Sequence, residues 1–83
     1  MNNTTNQDIL DTFTEILRDL LFDDTIELSM NTTRDAIPKW DSFAYVNFIV
    51  AAEMQYGIKF SVAEVESFEN VGAIVTRTSE LIS

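Results

Sequence analysis

Cysteine and histidine are both absent from this chain of 83 residues. Without cysteine it forms no disulfide bond and no thiolate metal site, and without histidine it lacks the commonest zinc ligand and the usual general base. Five basic residues stand against 14 acidic ones, a net charge of −9 that disfavours contact with nucleic acid and anionic lipid. We therefore expect no nucleic-acid partner, no enzymatic activity of the chain alone, and protein partners with basic surfaces.

Long apolar runs are also absent, since no stretch approaches the ~20 residues that span a bilayer. The first eight residues, MNNTTNQD, have neither the basic nor the apolar region of a secretory signal. We therefore expect a cytoplasmic protein without membrane insertion. The length suits one domain over residues 1–83, near the lower size limit for independent folding. We expect this domain to be a monomer in which residues 1–6 are disordered.

Two long helices are predicted on either side of a polar segment. Near the N-terminus, apolar residues recur at three- and four-residue spacing, which indicates an amphipathic helix capped by Asn6 or Thr5. Residues 42–56 form a second predicted helix. Asp41 suits its N-cap, and Gly57 can take the left-handed conformation that follows a last helical turn.

Two further helices complete the predicted fold. Ser61 and Glu64 have the spacing of a capping box, which predicts a short helix over residues 62–67. A last helix follows from about residue 70, and Gly72 in its first turn indicates either close packing or a ragged start. No segment shows the strict alternation of a strand. The predicted fold class is all-α, a small bundle of three main helices and one short helix.

A long loop over residues 23–40 separates the first two predicted helices. Loops of this length are uncommon in compact domains unless they are functional or attached to the core. Leu28 and Ile37 are the predicted points of attachment. Pro38 fixes its own φ and favours an extended Ile37, so the chain is expected to be stiff where it reaches Asp41.

The second predicted helix carries apolar residues on two faces. One set has the spacing of a core-facing stripe: Tyr45, Phe48, Ile49, Ala52 and Tyr56. The other set is interrupted by Asn47: Phe43, Val46, Val50 and Met54. Two interpretations of this second set remain open, a central helix buried on both sides or an exposed face that binds a partner.

Ser42 stands at the first position of this predicted helix. The unpaired backbone N–H groups and the dipole of a helix start favour an anion, so a phosphate ester on Ser42 would be stabilised there. The preceding loop would leave the hydroxyl open to a modifying enzyme. Serine is also a common first-turn residue after an aspartate cap, so these residues alone leave a modification site and a plain helix start as alternatives.

The segment from residue 38 to residue 75 resembles the acyl carrier protein family. Asp41, Ser42 and Phe43 match the family's Asp-Ser-Leu attachment motif, and the following AYVNFIVAAEMQYGIKF is similar to its apolar second helix and the turn beyond. The resemblance implies an acyl-carrier-like bundle in which Ser42 carries 4′-phosphopantetheine, added from coenzyme A by a phosphopantetheinyl transferase. The thiol of that group would hold an acyl or aminoacyl thioester, which would account for the missing cysteine and histidine.

The resemblance also implies where partner enzymes dock. Asp41 and Phe43, which flank Ser42, are the other implied cofactor-binding residues. The implied partner-binding residues are Trp40, Phe43, Val46, Asn47 and Val50. The implied partners are the transferase, an acyl- or aminoacyl-loading enzyme, and a downstream acyltransferase or synthase.

The departures from the family pattern indicate a specialised role. Glu53 is the only charged residue of the second helix, whereas carriers that serve fatty acid synthesis usually bear several acids there. We therefore expect more apolar docking, in a polyketide, aminoacyl or modified-acyl pathway. Trp40 resembles the Trp-Asp-Ser pattern of stand-alone carriers in such pathways. Some relatives hold an acyl chain in the region that corresponds to Ile49, Val65 and Ile74.

Two alternatives stand beside the carrier interpretation. One is a carrier-like protein that is never modified and acts as an acidic interaction subunit. The other is calcium binding by four acidic residues of the loop: Asp23, Asp24, Glu27 and Asp35. Their spacing lacks the alternating ligands, central glycine and terminal glutamate of an EF-hand, so we expect these side chains to be solvated surface charges instead. A hydrolase built on Ser42 is excluded because no histidine can activate its hydroxyl. We expect no catalytic residue and no metal site.

Overall fold

The computed structural model describes residues 4–82, and no strand occurs in this range. Four α-helices and one 3₁₀ turn follow one another along the chain: α1 Asn6–Leu21, the 3₁₀ turn Arg34–Ala36, α2 Ser42–Tyr56, α3 Val62–Ser67 and α4 Val71–Ile82. The predicted all-α bundle with a long first loop is thereby confirmed. Within residues 4–82, none of the helices combines the length and the apolar character that a transmembrane span requires.

The start of α1 is fixed by a reciprocal cap. The Thr5 hydroxyl accepts a hydrogen bond from the Asp8 amide at 3.1 Å, and the Asp8 carboxylate accepts one from the Thr5 amide at 3.1 Å. Two otherwise unpaired amides are satisfied in this way, which stabilises the first turn. Thr5 and Asn6 thus form the capped start of α1, whereas the sequence predicted disorder over residues 1–6; residues 1–3 lie outside the described part of the chain.

The core lies where α1 packs against both α2 and α4. Phe13 of α1 is fully buried, and its ring meets Phe48 edge-on at 5.1 Å and Tyr56 at 6.2 Å between centroids. Buried aliphatic residues of α4 complete this core: Val71, Ile74 and Val75. Because α1 is the helix that both others contact, α2 needs only one of its two apolar faces for packing.

The two faces of α2 accordingly have different environments. Phe48, Ile49 and Ala52 are buried, and the remaining members of their stripe are half-buried. The second set is exposed, with Phe43 at 77% and Met54 at 79% of their full accessible surface. Of the two interpretations that the sequence left open, burial of α2 on both sides is therefore wrong, and partner binding by the exposed face stays a prediction.

The first loop is attached to the core at the two predicted positions and, more deeply, at two others. Leu28 and Ile37 are half-buried and pack against the core, and Ile26 and Trp40 are buried with 7% and 3% of their surface exposed. The guanidinium of Arg18 donates to the carbonyl of Ile26 at 2.7 Å and holds the first part of the loop on α1. Large side chains at both ends of the loop therefore fix its path.

A second attachment joins the middle of the loop to the start of α4. The amide of Val71 donates to the carbonyl of Thr32 at 2.8 Å, and the amide of Gly72 donates to the carbonyl of Met30 at 2.8 Å. A side chain at position 72 would place its Cβ 2.5 Å from that Met30 oxygen. The sequence left close packing and a ragged helix start as explanations for Gly72, and the structure shows close packing.

Candidate attachment site at the start of α2

The N-terminus of α2 is capped by Asp41. Its carboxylate accepts from the amide of Ala44 at 2.9 Å, and its carbonyl accepts from the amide of Tyr45 at 2.8 Å. These bonds leave Ser42 as the first helical residue, with its side chain on the surface. Among the described residues its hydroxyl has no hydrogen-bond partner, so the oxygen is open to chemistry.

Trp40 lies beside this cap but belongs to the core. Its ring is 5.2 Å from Phe48 and 6.1 Å from Tyr45, measured between centroids. Burial leaves little of this large aromatic surface exposed to water, which does not favour the predicted role of Trp40 in partner binding. Its indole Nε1 is buried and has no hydrogen-bond partner within residues 4–82.

A cleft of about 580 Å³ opens next to Ser42. The 3₁₀ turn, α2, α3 and α4 all contribute to its walls. Apolar side chains form part of the lining: Tyr45, Val46, Val65, Phe68 and Ile74. Of the three residues that the family resemblance associated with an acyl chain, Val65 and Ile74 line the cleft, whereas Ile49 is buried in the core and does not.

Tyr45 connects three walls of the cleft. Its hydroxyl donates to the carbonyl of Val65 at 2.7 Å, which ties α2 to α3. The guanidinium carbon of Arg34 stands 5.0 Å from the centre of the Tyr45 ring, a cation–π contact with the 3₁₀ turn. Burial raises the pKa of Tyr45, and the charge of Arg34 opposes that rise. Sequence reasoning missed Arg34, because its place depends on how the long loop folds back.

The exposed face of α2 is apolar and carries no acid. Phe43, Val46, Asn47 and Val50 are all exposed on it, and Met54 extends it by one turn. Glu53 is half-buried, and its carboxylate accepts from the amide of Phe60 at 2.8 Å. The one acidic residue of the helix is therefore engaged with the following turn instead of being presented to partners.

Among residues 4–82, no group of three or more acidic side chains is arranged to hold a metal ion. In the acidic loop, the carboxylate of Asp23 accepts from the amide of Thr25 at 3.0 Å. Hydrogen bonds from the Thr25 hydroxyl and amide lower the pKa of Asp23. This carboxylate therefore serves a local turn.

Comparison with solved structures identifies a close structural counterpart. The chain is similar to the solution structure of a holo acyl carrier protein from Geobacter metallireducens, with a TM-score of 0.82 and 35% identity over 89% of this chain and 85% of that chain. No family model matches, and no curated protein matches. That counterpart is a carrier protein. The chain belongs to the acyl carrier protein family.

Proposed function

We propose that Ser42 carries 4′-phosphopantetheine through a phosphodiester, and that the chain presents an acyl or aminoacyl group as a thioester on its thiol. The observation that carries this proposal is the exposed, unpartnered hydroxyl of Ser42 at the first position of α2 in an acyl carrier bundle. When bound, the group supplies the reactive sulfur that the chain itself lacks.

The surroundings of Ser42 fit such a group. The first turn of a helix leaves backbone N–H groups unpaired, and its dipole favours negative charge, so a phosphate on Ser42 is stabilised at the end of α2. The adjoining cleft has polar groups at its edge from Thr33 and Asn70 and apolar groups from Tyr45 and Val65. The arm of 4′-phosphopantetheine contains amides and short alkyl segments, so it suits a cleft that has both polar and apolar groups.

The exposed face of α2 supports the proposal about partners. Phe43, Val46, Asn47 and Val50 would meet the phosphopantetheinyl transferase, then the acyl- or aminoacyl-loading enzyme and a downstream acyltransferase or synthase. Since Glu53 is bonded to the backbone of the next turn, the surface is apolar, which favours a specialised polyketide, aminoacyl or modified-acyl pathway. We propose that the carrier works there as a cytoplasmic monomer.

The attachment is tested by intact mass. Incubation with coenzyme A and a broad-specificity transferase should add the mass of one phosphopantetheine, and Ser42→Ala should abolish the gain. Ser67→Ala is the matched control, because Ser67 is also exposed and its hydroxyl donates only to the carbonyl of Glu64 at 2.9 Å. That variant should load like the unaltered chain.

A folded protein whose mass does not change with several transferases would refute the proposal. It would favour the alternative of an unmodified carrier-like protein that acts as an acidic interaction subunit. Circular dichroism of both variants confirms that the helices persist, so a lost mass gain is attributed to the missing hydroxyl and not to unfolding.

A further inference from the structure

Arg34 is the basic side chain among the described residues that line the cleft beside Ser42. The 3₁₀ turn fixes its backbone, since the amide of Ala36 donates to Thr33 and the amide of Ile37 donates to Arg34, each at 3.1 Å. Its side chain lies over the ring of Tyr45. The positive charge is thereby held at the wall of the cleft that the attachment serine also lines.

No carboxylate neutralises this guanidinium within residues 4–82. The ion pairs in that range join Arg77 to Glu64 and to Glu80, and neither involves Arg34. The Arg34 guanidinium contacts the aromatic ring, while its N–H groups have no protein acceptor in the described range. In a chain of net charge −9, this arginine is available to an anion from outside the protein fold.

We propose that Arg34 is a positioning residue that binds the phosphodiester of the group carried by Ser42 and holds the arm along the cleft. This inference rests on the proposed attachment at Ser42. A guanidinium donates to phosphate oxygens through a fixed fork of N–H groups, which a lysine ammonium does not reproduce. The amides at the start of α2 would add favourable partial charge for the same phosphate.

The carboxylates of the cleft affect which anion Arg34 binds. Asp35, Glu66 and Glu69 line the same cleft and repel a second negative group. A phosphate is held beside Ser42 by a covalent bond, so it occupies the site at high effective concentration in spite of that repulsion. A carboxylate at the end of an attached acyl group is tethered through the whole length of the arm, so its effective concentration beside Ser42 is lower and Arg34 binds the phosphate of the arm.

The test compares NMR spectra of the chain before and after phosphopantetheine is attached. Attachment should shift the Nε–H resonance of Arg34, and Arg34→Ala should shift the ³¹P resonance of the phosphodiester and sharpen the signals of the arm. Arg34→Lys should recover only part of this effect. Lys39→Ala removes an equal charge three residues from Ser42 at a position that does not line the cleft, and it should leave the ³¹P resonance unchanged.

Three forms of the loaded chain separate the possible anions: the free thiol, a neutral acetyl thioester, and a thioester whose acyl group ends in a carboxylate. The Arg34 shift should be present with the free thiol and persist when the thiol carries a neutral acetyl group. A shift that arises only with an acyl group ending in a carboxylate would overturn the assignment to phosphate. A chain that gains the phosphopantetheine mass without any change at Arg34 overturns this inference alone, whereas a chain that gains no mass refutes both proposals.

Discussion

Replacing Gly72 by alanine tests how the first loop is held against α4. An added Cβ would lie 2.5 Å from the carbonyl oxygen of Met30 and 3.2 Å from its Cβ, and real Cβ contacts essentially never fall below 3.0 Å. The nearest atom is a backbone oxygen that cannot rotate away. The loop must therefore move by about 0.5 Å or more, the difference between 2.5 and 3.0 Å, and the hydrogen bond from the Gly72 amide to Met30 is disturbed.

The expected cost follows from three contributions. Alanine in place of glycine within a helix stabilises it by up to about 1 kcal/mol. A buried amide left without its acceptor costs about 1–3 kcal/mol, and loss of the neighbouring bond between Val71 and Thr32 adds about 0.5–1.5 kcal/mol. We therefore expect Gly72→Ala to lower the free energy of unfolding by about 1–3 kcal/mol, although helix propensity alone predicts the opposite sign.

Denaturant unfolding followed by circular dichroism measures this free energy. Thr76→Ala, on the exposed side of α4, is the control for helix propensity and should change stability by less than about 0.5 kcal/mol. Gly57→Ala is the control for backbone strain, because nothing lies within 4 Å of its Cβ position and its φ is +64°; it should cost about 1–2 kcal/mol. A Gly72→Ala chain as stable as the original would refute the close packing.

The other predictions concern the buried Trp40, the exposed Phe43 and the cap of α3 at Glu64. Trp40→Ala should cost about 3–5 kcal/mol in unfolding free energy because it empties a buried site. Phe43→Ala should cost less than about 0.5 kcal/mol and slow loading by the transferase. Phe22→Ala is the control, because Phe22 is also an exposed aromatic but lies outside α2. The hydrogen bond from the Ser61 amide, with help from Arg77, holds the pKa of Glu64 below its usual 4.5. A carboxylate whose pKa is lowered on folding stabilises the fold at pH values above its unfolded-state pKa, and this contribution is lost as pH falls through the folded-state pKa. Glu64→Gln should therefore lose less stability than the original chain between neutral and acidic pH, as measured by denaturant titrations. Identical pH profiles of the two chains would contradict this prediction.

The helix limits and the position of Ser42 at the start of α2 were predictable from local sequence. Asp41, Gly57 and Ser61 act on backbone groups within four residues of themselves, and the structure uses each of them as predicted. Ser42 follows from the cap, since the residue after an N-cap is the first of the helix. Such interactions are fully specified by neighbours in the chain, so the pattern of residues is sufficient to find them.

The tertiary structure alone decided what surrounds that serine. Trp40 is buried because Phe48 and Tyr45 leave room for its ring, and the second face of α2 is exposed because α1 takes the central place in the bundle. Arg34 meets Tyr45 because the loop is attached to distant helices. These arrangements depend on contacts between residues far apart in the chain, whose energies arise only when the whole core is packed.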